Sequence, residues 1–450
     1  MNKLFGTDGI RGKAGYFPID NLSMQILGAA LAQIISAEYK NKTEIYIGYD
    51  TRESARNIFQ SIAMGFSSMQ GIIYDLGIVP TPLISFISFN QKKYSIAITA
   101  SHNPFEDNGV KIIGPDGLKI SEKIESVLED AILQQHKYLN QKANNKPLIF
   151  NYKKKAISLY KEQLIKRHFP NLSLENISIA VDVANGAGYK IIPSVLKDFG
   201  ASVTIFNDSP NGRNINEKCG ALHPEFIRDA IKDKKDIQIG ACYDGDADRA
   251  IFCDNLGNIY DGDIILAILG SYLNKIGKLK NQTIVTTIMS NLGLEIFLNK
   301  QNIKLIRVPV GDKYVLEKMI EIDNNLGGEQ SGHIILSDIL NTGDGLITTL
   351  KLVYILKQTN LPITDLCAGF KKYPQILLNV KVNSKIPIEE VPELYNEYIN
   401  IKNKLSANGR IIIRYSGTEP LLRIMIEGSS VAEIKSYAEK IYSLAASLLS

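Results

Sequence analysis

Strand-like and helix-like patterns alternate from residue 22 to about residue 366, which restricts most of the chain to α/β units built on largely parallel sheets. Apolar residues recur at helical spacing over 22–39, 54–70, 121–135, 152–168, 291–300 and 343–358. Short β-branched or apolar runs at 44–48, 71–76, 94–99, 110–113, 177–183, 201–206, 237–243, 283–287 and 304–309 read as strands. Val79-Pro80-Thr81-Pro82 reads as a rigid connection, and the polar, Lys- and Asn-rich stretch 140–151 as a linker. Beyond Ala368-Gly369 the pattern changes to strands at 376–382, 410–414 and 421–427 with helices at 387–405 and 431–449. The expected fold class is α/β: three similarly wound α/β domains (1–150, 151–256 and 257–367) followed by a smaller α+β C-terminal domain (368–450).

Composition narrows the function. Over 450 residues, 45% hydrophobic and 22% charged content is that of an ordinary soluble globular protein. The net charge of +4 is spread along the chain without a basic stripe interleaved with aromatics, which argues against nucleic acid as a partner. No run approaches the ~18 apolar residues of a membrane span, and the Gly-rich polar start lacks the apolar segment of a secretion signal. Cys219, Cys242, Cys253 and Cys367 show no CxxC spacing and read as reduced thiols, so a cytoplasmic location is expected.

Four stretches carry chemistry. Thr99-Ala100-Ser101-His102-Asn103-Pro104 follows a strand and is broken by Asn-Pro, leaving an exposed Ser101 at a strand's carboxyl end, as a nucleophile or as a turn residue. In Asp244-Gly245-Asp246-Ala247-Asp248-Arg249, three carboxylates at alternate positions can reach one hard cation only if the chain curls, which Gly245 and Ala247 permit. A calcium hand loop is excluded, because Arg249 and Asn255 stand where Gly and Glu are needed. Gly327-Gly328-Glu329-Gln330-Ser331-Gly332-His333, after a helix and before a strand, mixes donors and acceptors in a way that suits a polyol, though a polar hairpin turn has the same composition. Arg414-Tyr415-Ser416-Gly417-Thr418-Glu419-Pro420 offers a phosphate cradle without a Walker sequence. One such stretch in each expected domain argues for a central cleft where the domains meet.

These four motifs, in this order and spacing, resemble the α-D-phosphohexomutase superfamily over nearly the whole chain. Phe5-Gly6-Thr7-Asp8-Gly9-Ile10-Arg11-Gly12, and Gln330 where mannose-specific relatives usually carry Met, resemble its glucosamine-phosphate branch. Lys313, where Arg is expected, and Tyr415 depart from the pattern. The resemblance implies Ser101 as a phosphoserine and Mg²⁺ held by Ser101, Asp244, Asp246 and Asp248. It implies Arg11, His102, Lys111 and Arg249 around the reacting phosphoryl group, and Glu329, Gln330, Ser331 and His333 at the sugar. Arg414, Ser416, Gly417, Thr418 and Arg423 would grip the other phosphate.

The reaction so implied interconverts glucosamine 6-phosphate and glucosamine 1-phosphate through glucosamine 1,6-bisphosphate, feeding UDP-N-acetylglucosamine and cell-wall precursor synthesis. The expected partner is a small-molecule phosphosugar, with neither nucleic acid nor membrane, and a homodimer is an open expectation. Glucose or mannose phosphates would use the same machinery. A metal-dependent sugar phosphatase with an aspartyl nucleophile leaves Ser101 without a role. In a Ser-His hydrolase the neighbours Ser101 and His102 would point apart on an extended chain. A phosphosugar-binding module would need neither nucleophile nor metal.

Overall fold

A computed structural model describes residues 3–39, 43–134, 146–416 and 420–449. Their contacts divide the chain into two compact units, Met1–Met289 with Leu305–Cys367, and Ser290–Lys304 with Ala368–Ser450.

The first sheet runs Phe5–Gly6, Gly9–Lys13, Asp107–Ile113, Tyr94–Ile98, Glu44–Tyr49, Ile72–Ile78, Leu148–Asn151 from edge to edge. It is mixed, not parallel throughout: Tyr94–Ile98 runs parallel to Glu44–Tyr49 but antiparallel to Asp107–Ile113. The reversal comes from the short return after Ser101, too brief for the crossover that a parallel partner needs. The core beneath it is apolar and mostly aliphatic, with Ile45, Ile47, Ile96 and Ile98 on the sheet packed with Leu27, Leu31, Phe59 and Ile62 on the helices Asn21–Tyr39 and Ala55–Phe66. These helices meet closely because Gly28 and Gly65 present bare backbone. A Cβ on Gly65 would lie 1.8 Å from the Gln25 carbonyl oxygen.

Two expectations fail here. Val79-Pro80-Thr81-Pro82 is not merely a connection, for Thr81–Gln91 is a helix with Pro82 in its first turn. Proline is at home there because its missing N–H would have no helical partner anyway. Residues Thr81 to Ser88 are all buried, so no polar face marks the helix in the sequence. Likewise, the stretch read as a linker contains the exposed edge strand Leu148–Asn151, paired in parallel with Ile72–Ile78; residues 140–145 of it lie outside the described residues.

A second sheet orders Ile259–Tyr260, Ala250–Cys253, Ile239–Tyr243, Ser178–Asp182 and Ser202–Phe206. A third orders Lys304–Val308, Thr283–Thr287, Leu326–Gly328 and Ile334–Leu336. In both, functional loops leave the carboxyl ends of strands, where such sheets bind ligands.

The other unit is an antiparallel sheet with Leu421–Gly428 between Gln375–Lys381 and Gly409–Tyr415. The helices Pro392–Leu405 and Val431–Leu449 give it a core of its own. The helix Leu292–Asn299, read as part of the third domain, packs with this unit: Asn291 Nδ2 donates to the Tyr373 carbonyl at 3.0 Å, and Asn291 Oδ1 accepts from the Tyr373 N–H at 2.9 Å.

Gly65→Ala is expected to force the two helices apart and lower stability by ~1–3 kcal/mol, the usual range for overpacking. Thermal unfolding against the parent protein measures it, and an unchanged midpoint would mean that the helices yield freely.

Candidate active site

The strand Tyr94–Ile98 is buried along its whole length and delivers Ser101 to its carboxyl end. Ser101 is buried, not exposed as the turn chemistry suggests, and its φ of +53° is left-handed. That conformation costs a non-glycine residue roughly 1–2 kcal/mol, so its surroundings must impose it. The Thr99 hydroxyl oxygen accepts the Ser101 N–H at 2.9 Å. The Ser101 carbonyl accepts from Arg52 Nη2 at 3.0 Å and from Asn216 Nδ2 at 2.9 Å. Ser101 Oγ then lies 2.7 Å from Asp244 Oδ2, to which it donates. It is also 3.3 Å from His102 Nδ1, so the two side chains do not point apart. The left-handed turn at Ser101 removes the extended chain on which that expectation rested. Burial, with Arg249 and Arg11 nearby, lowers the His102 pKa to about 4.

Asp244 begins where the strand Ile239–Tyr243 ends. The chain curls there as expected, with Ala247 at φ +59°. One carboxylate oxygen from each of Asp244, Asp246 and Asp248 falls within 4.8 Å of the others. Gly245 lets this loop lie against the serine loop, since a Cβ on it would come 2.5 Å from the Ser101 carbonyl oxygen. Lys111 Nζ sits 3.0 Å from Asp246 Oδ2, 3.3 Å from Asp248 Oδ2 and 2.9 Å from Asp8 Oδ2. The Thr81 hydroxyl adds a 2.7 Å bond to Asp246 Oδ2.

The acids divide in their electrostatics. Burial, reinforced by Asp248 and Asp246, pushes the Asp244 carboxyl well above its usual range. Burial acts on Asp248 in the same sense, yet Lys111 and His333 hold it well below. One ammonium therefore does not neutralise the cluster. Asp246 Oδ1 and Asp248 Oδ1 are buried without a hydrogen bond, a costly condition for carboxylate oxygens. Three carboxylates so placed, with Asp246 Oδ1 lacking a hydrogen bond and Asp248 Oδ1 met only by longer contacts to His333 Nδ1 at 3.6 Å and Arg249 Nε at 3.8 Å, fit a hard divalent cation.

Other expected residues gather here. Arg11 pairs with Asp8 at 2.7 Å, and the Arg249 N–H donates to Asp244 Oδ1 at 3.2 Å while its buried Nε has no hydrogen bond. The Glu329 loop is a hairpin turn between Leu326–Gly328 and Ile334–Leu336, so it follows a strand, not a helix. Glu329 is aimed by the Gly311 N–H on Oε1 and the Ser331 hydroxyl on Oε2, both at 3.2 Å. Gln330 turns toward Asp261 at 3.4 Å. His333 is buried, with Nε2 accepting from the Gly343 N–H and Nδ1 3.6 Å from Asp248 Oδ1, so it braces the acidic loop. Burial opposes a charged imidazole at His333, but the Asp248 carboxylate, with Asp312 and Glu329, outweighs it and raises the His333 pKa to about 9. Lys313, where Arg was expected, binds Glu122 at 2.8 Å. A cavity of about 510 Å³ lined by Lys111, Asp248, Asp312, Lys313 and His333 adjoins the cluster.

Asp8, Arg52, Thr81 and Asn216 were not singled out in the sequence. Asp8 had a signal, lying in the motif that supplied Arg11. Arg52 and Asn216 act on backbone carbonyls, which leave no trace in residue type.

In the other unit, Arg414 and Arg423 stand directly opposite on paired strands. Burial and the Arg423 charge lower the Arg414 pKa. Lys385 Nζ donates to the Ser416 carbonyl at 2.6 Å, whereas Gly417 and Thr418 lie outside the described residues.

Sequence profiles of the phosphoglucomutase/phosphomannomutase family match domain I at residues 2–139, domain II at 158–257, domain III at 261–373 and the C-terminal domain at 377–444. A phosphoglucosamine mutase of Thermodesulfovibrio yellowstonii is 41% identical over 452 residues, covering 100% of both chains. Another from Bdellovibrio bacteriovorus is 40% identical over 98% of this chain and 97% of its own. Among solved structures, a phosphoglucomutase/phosphomannomutase family protein from Burkholderia thailandensis superposes with a TM-score of 0.80 at 20% identity, over 100% of this chain and 98% of that one. The Aspergillus fumigatus N-acetylphosphoglucosamine mutase in complex with GlcNAc-6P and magnesium gives 0.71 at 18% identity, over 100% and 96%. At those identities the structural matches speak for the fold, while the full-length relatives and the four profiles speak for descent: the chain belongs to the phosphoglucomutase/phosphomannomutase family.

Proposed function

We propose that the protein is a phosphoglucosamine mutase that interconverts glucosamine 6-phosphate and glucosamine 1-phosphate through a phosphoserine at Ser101 and glucosamine 1,6-bisphosphate. The reading rests on one observation, a buried serine hydroxyl 2.7 Å from a carboxylate of a three-aspartate cluster. The sugar class rests on the full-length relatives.

In the proposed reaction the P–O bond to Ser101 Oγ breaks as a bond forms to O1 of glucosamine 6-phosphate. The sugar hydroxyl proton ends on Ser101 Oγ, where Asp244 Oδ2 accepts its hydrogen bond. After the bisphosphate turns end for end, its 6-phosphoryl group returns to Ser101 and glucosamine 1-phosphate leaves. Asp244, Asp246 and Asp248 would hold Mg²⁺, which, when bound, draws charge from the phosphoryl oxygens. Lys111, Arg11 and Arg249 supply fixed positive charge beside the serine, the preorganised stabilisation on which phosphoryl transfer depends. Glu329 would take the sugar's ammonium or hydroxyls. Arg414, Ser416, Gly417, Thr418 and Arg423 would hold the phosphate that does not react, since an anion relieves two opposed guanidinium groups. We place the enzyme in the cytoplasm, feeding UDP-N-acetylglucosamine and cell-wall precursor synthesis; among the described residues no helix is long and apolar enough to cross a membrane.

Intact-mass measurement of purified protein should show a fraction heavier by one phosphoryl group, absent from Ser101→Ala, and that variant should lose mutase activity. Wild-type turnover in Ser101→Ala would remove the nucleophile. Asp246→Asn should weaken Mg²⁺ binding in calorimetric titration and slow transfer, because it deletes a charged ligand. Full wild-type activity after thorough chelation would exclude the metal.

Substrate choice tests the sugar. An ammonium at C2 facing Glu329 makes a charge-assisted bond worth roughly 1.5–3 kcal/mol, enough for about ten- to hundredfold preference over a hydroxyl. kcat/KM for glucosamine 6-phosphate should exceed that for glucose 6-phosphate by that factor. Equal values, or a preference for glucose or mannose, would shift the reading to another branch of the family.

A further inference from the structure

Arg52 does not touch the acidic cluster, yet every N–H of its guanidinium is committed to the loop that carries Ser101 or to one neighbour. Nε donates to Asp50 Oδ2 at 2.9 Å in an ion pair with both side chains fully buried. Nη2 donates to the carbonyls of Ser101 at 3.0 Å and Asn103 at 2.8 Å. Nη1 donates to the carbonyls of Asp107 at 3.0 Å and Pro104. A guanidinium has five N–H donors, so none is left for a phosphate or a sugar. Asp50 Oδ1 in turn accepts the Arg52 backbone N–H at 3.0 Å, while Thr99 Oγ1 accepts the Ser101 N–H at 2.9 Å. Arg52, braced by Asp50, therefore grips Ser101 by its carbonyl, and Thr99 holds the N–H of the same residue.

A second hook comes from the other sheet. Asn216 Nδ2 donates to the same two carbonyls, Ser101 at 2.9 Å and Asn103 at 3.2 Å. The segment bearing Arg52 is itself tied to that sheet's loops: Thr51 Oγ1 donates to the Asn185 carbonyl at 2.5 Å, and the Glu53 N–H to the Gly212 carbonyl at 2.9 Å. The serine loop belongs to the first sheet and the Asp244 loop to the second, so the Ser101–Asp244 distance depends on whatever fixes one against the other.

We propose that Arg52, with Asn216, is a positioning residue for phosphoryl transfer: it holds Ser101 in its left-handed conformation and sets Oγ at the acidic cluster without contacting substrate. The proposal rests on the mutase reading above. Displacement of a reacting atom by about 1 Å can cost about a hundredfold in rate. Lysine keeps the charge beside Asp50 but has three donors on one nitrogen and cannot span four carbonyls.

The test compares Arg52→Lys and Asn216→Ala with wild type and Ser101→Ala. Expected for Arg52→Lys is a cooperative melt near that of wild type, kcat lowered about a hundredfold, KM for glucosamine 6-phosphate within twofold, and a shifted ³¹P resonance of the phosphoserine. Asn216→Ala should show the same split with kcat lowered about tenfold. Wild-type kcat in both folded variants overturns the proposal. So does a parallel change of kcat and KM that tracks lost thermal stability, the mark of a merely structural clamp. If one variant does not fold, the other decides, and failure of both to fold also makes the clamp structural. Should wild type itself lack mutase turnover, the reading of function fails; if wild type turns over and Ser101→Ala does not, a null result on Arg52 removes the clamp alone.

Discussion

The local structure depends on the mutual repulsion of three buried carboxylates and on what offsets it. Asp244, Asp246 and Asp248 lie on one curled loop with ligand oxygens within 4.8 Å of one another. Each would be costly to ionise there alone. Lys111 answers part of that cost from the first sheet: burial lowers its own pKa, but Asp246, Asp8 and Asp248 together raise it well above the usual value. His333 answers another part from the third sheet. The remainder falls on Asp244, the acid pushed upward, which is also the one that accepts from Ser101. A site with this residual demand for positive charge is suited to a cation, and a cation there would suit the phosphoserine proposed at Ser101. The same electrostatics thus serve the fold and the chemistry.

Much of this was legible in the sequence, and the limits have physical causes. The acidic loop could be read because its carboxylates recur at alternate positions with small residues between them, a pattern that specifies both the ligand type and the curl. Ser101 could be placed at a strand end because Asn103-Pro104 breaks the strand, but its burial could not. Exposure depends on Gly245 coming close enough for a Cβ to clash with the Ser101 carbonyl, a contact between residues 144 positions apart. The helix Thr81–Gln91 escaped notice because burial on all sides erases amphipathic periodicity. With it went Thr81, the hydroxyl on Asp246. His333 shows the converse: its type and its motif suggested the sugar, while its packing turns it onto Asp248 and the Gly343 N–H.

The left-handed serine connects these observations. A non-glycine residue in that region persists only where the surrounding structure over-determines it, and here the determinants come from both adjoining sheets. Arg52 and Asn216 pull on the same carbonyl oxygens. Gly245 allows the acidic loop to approach, and Thr99 holds the N–H. None of these groups is chemically active, yet each constrains where Oγ lies. The reactivity proposed for this serine would be a property of the loops packed around it as much as of its hydroxyl.

The second unit poses the opposite electrostatic problem. Arg414 and Arg423 are cross-strand neighbours in register, where like charges destabilise a sheet, and burial depresses the Arg414 pKa further. An antiparallel pair has no structural need for two facing guanidinium groups, since Ile411↔Ile426 and Ile413↔Ile424 already bind these strands through the core. A phosphate between the two arginines would turn that repulsion into bidentate attraction. In the reading proposed above, such a grip would take the phosphate and not the sugar ring, and so hold a hexose bisphosphate by either end. A mutase needs this indifference, because its intermediate must present first one phosphoryl group and then the other to the same serine.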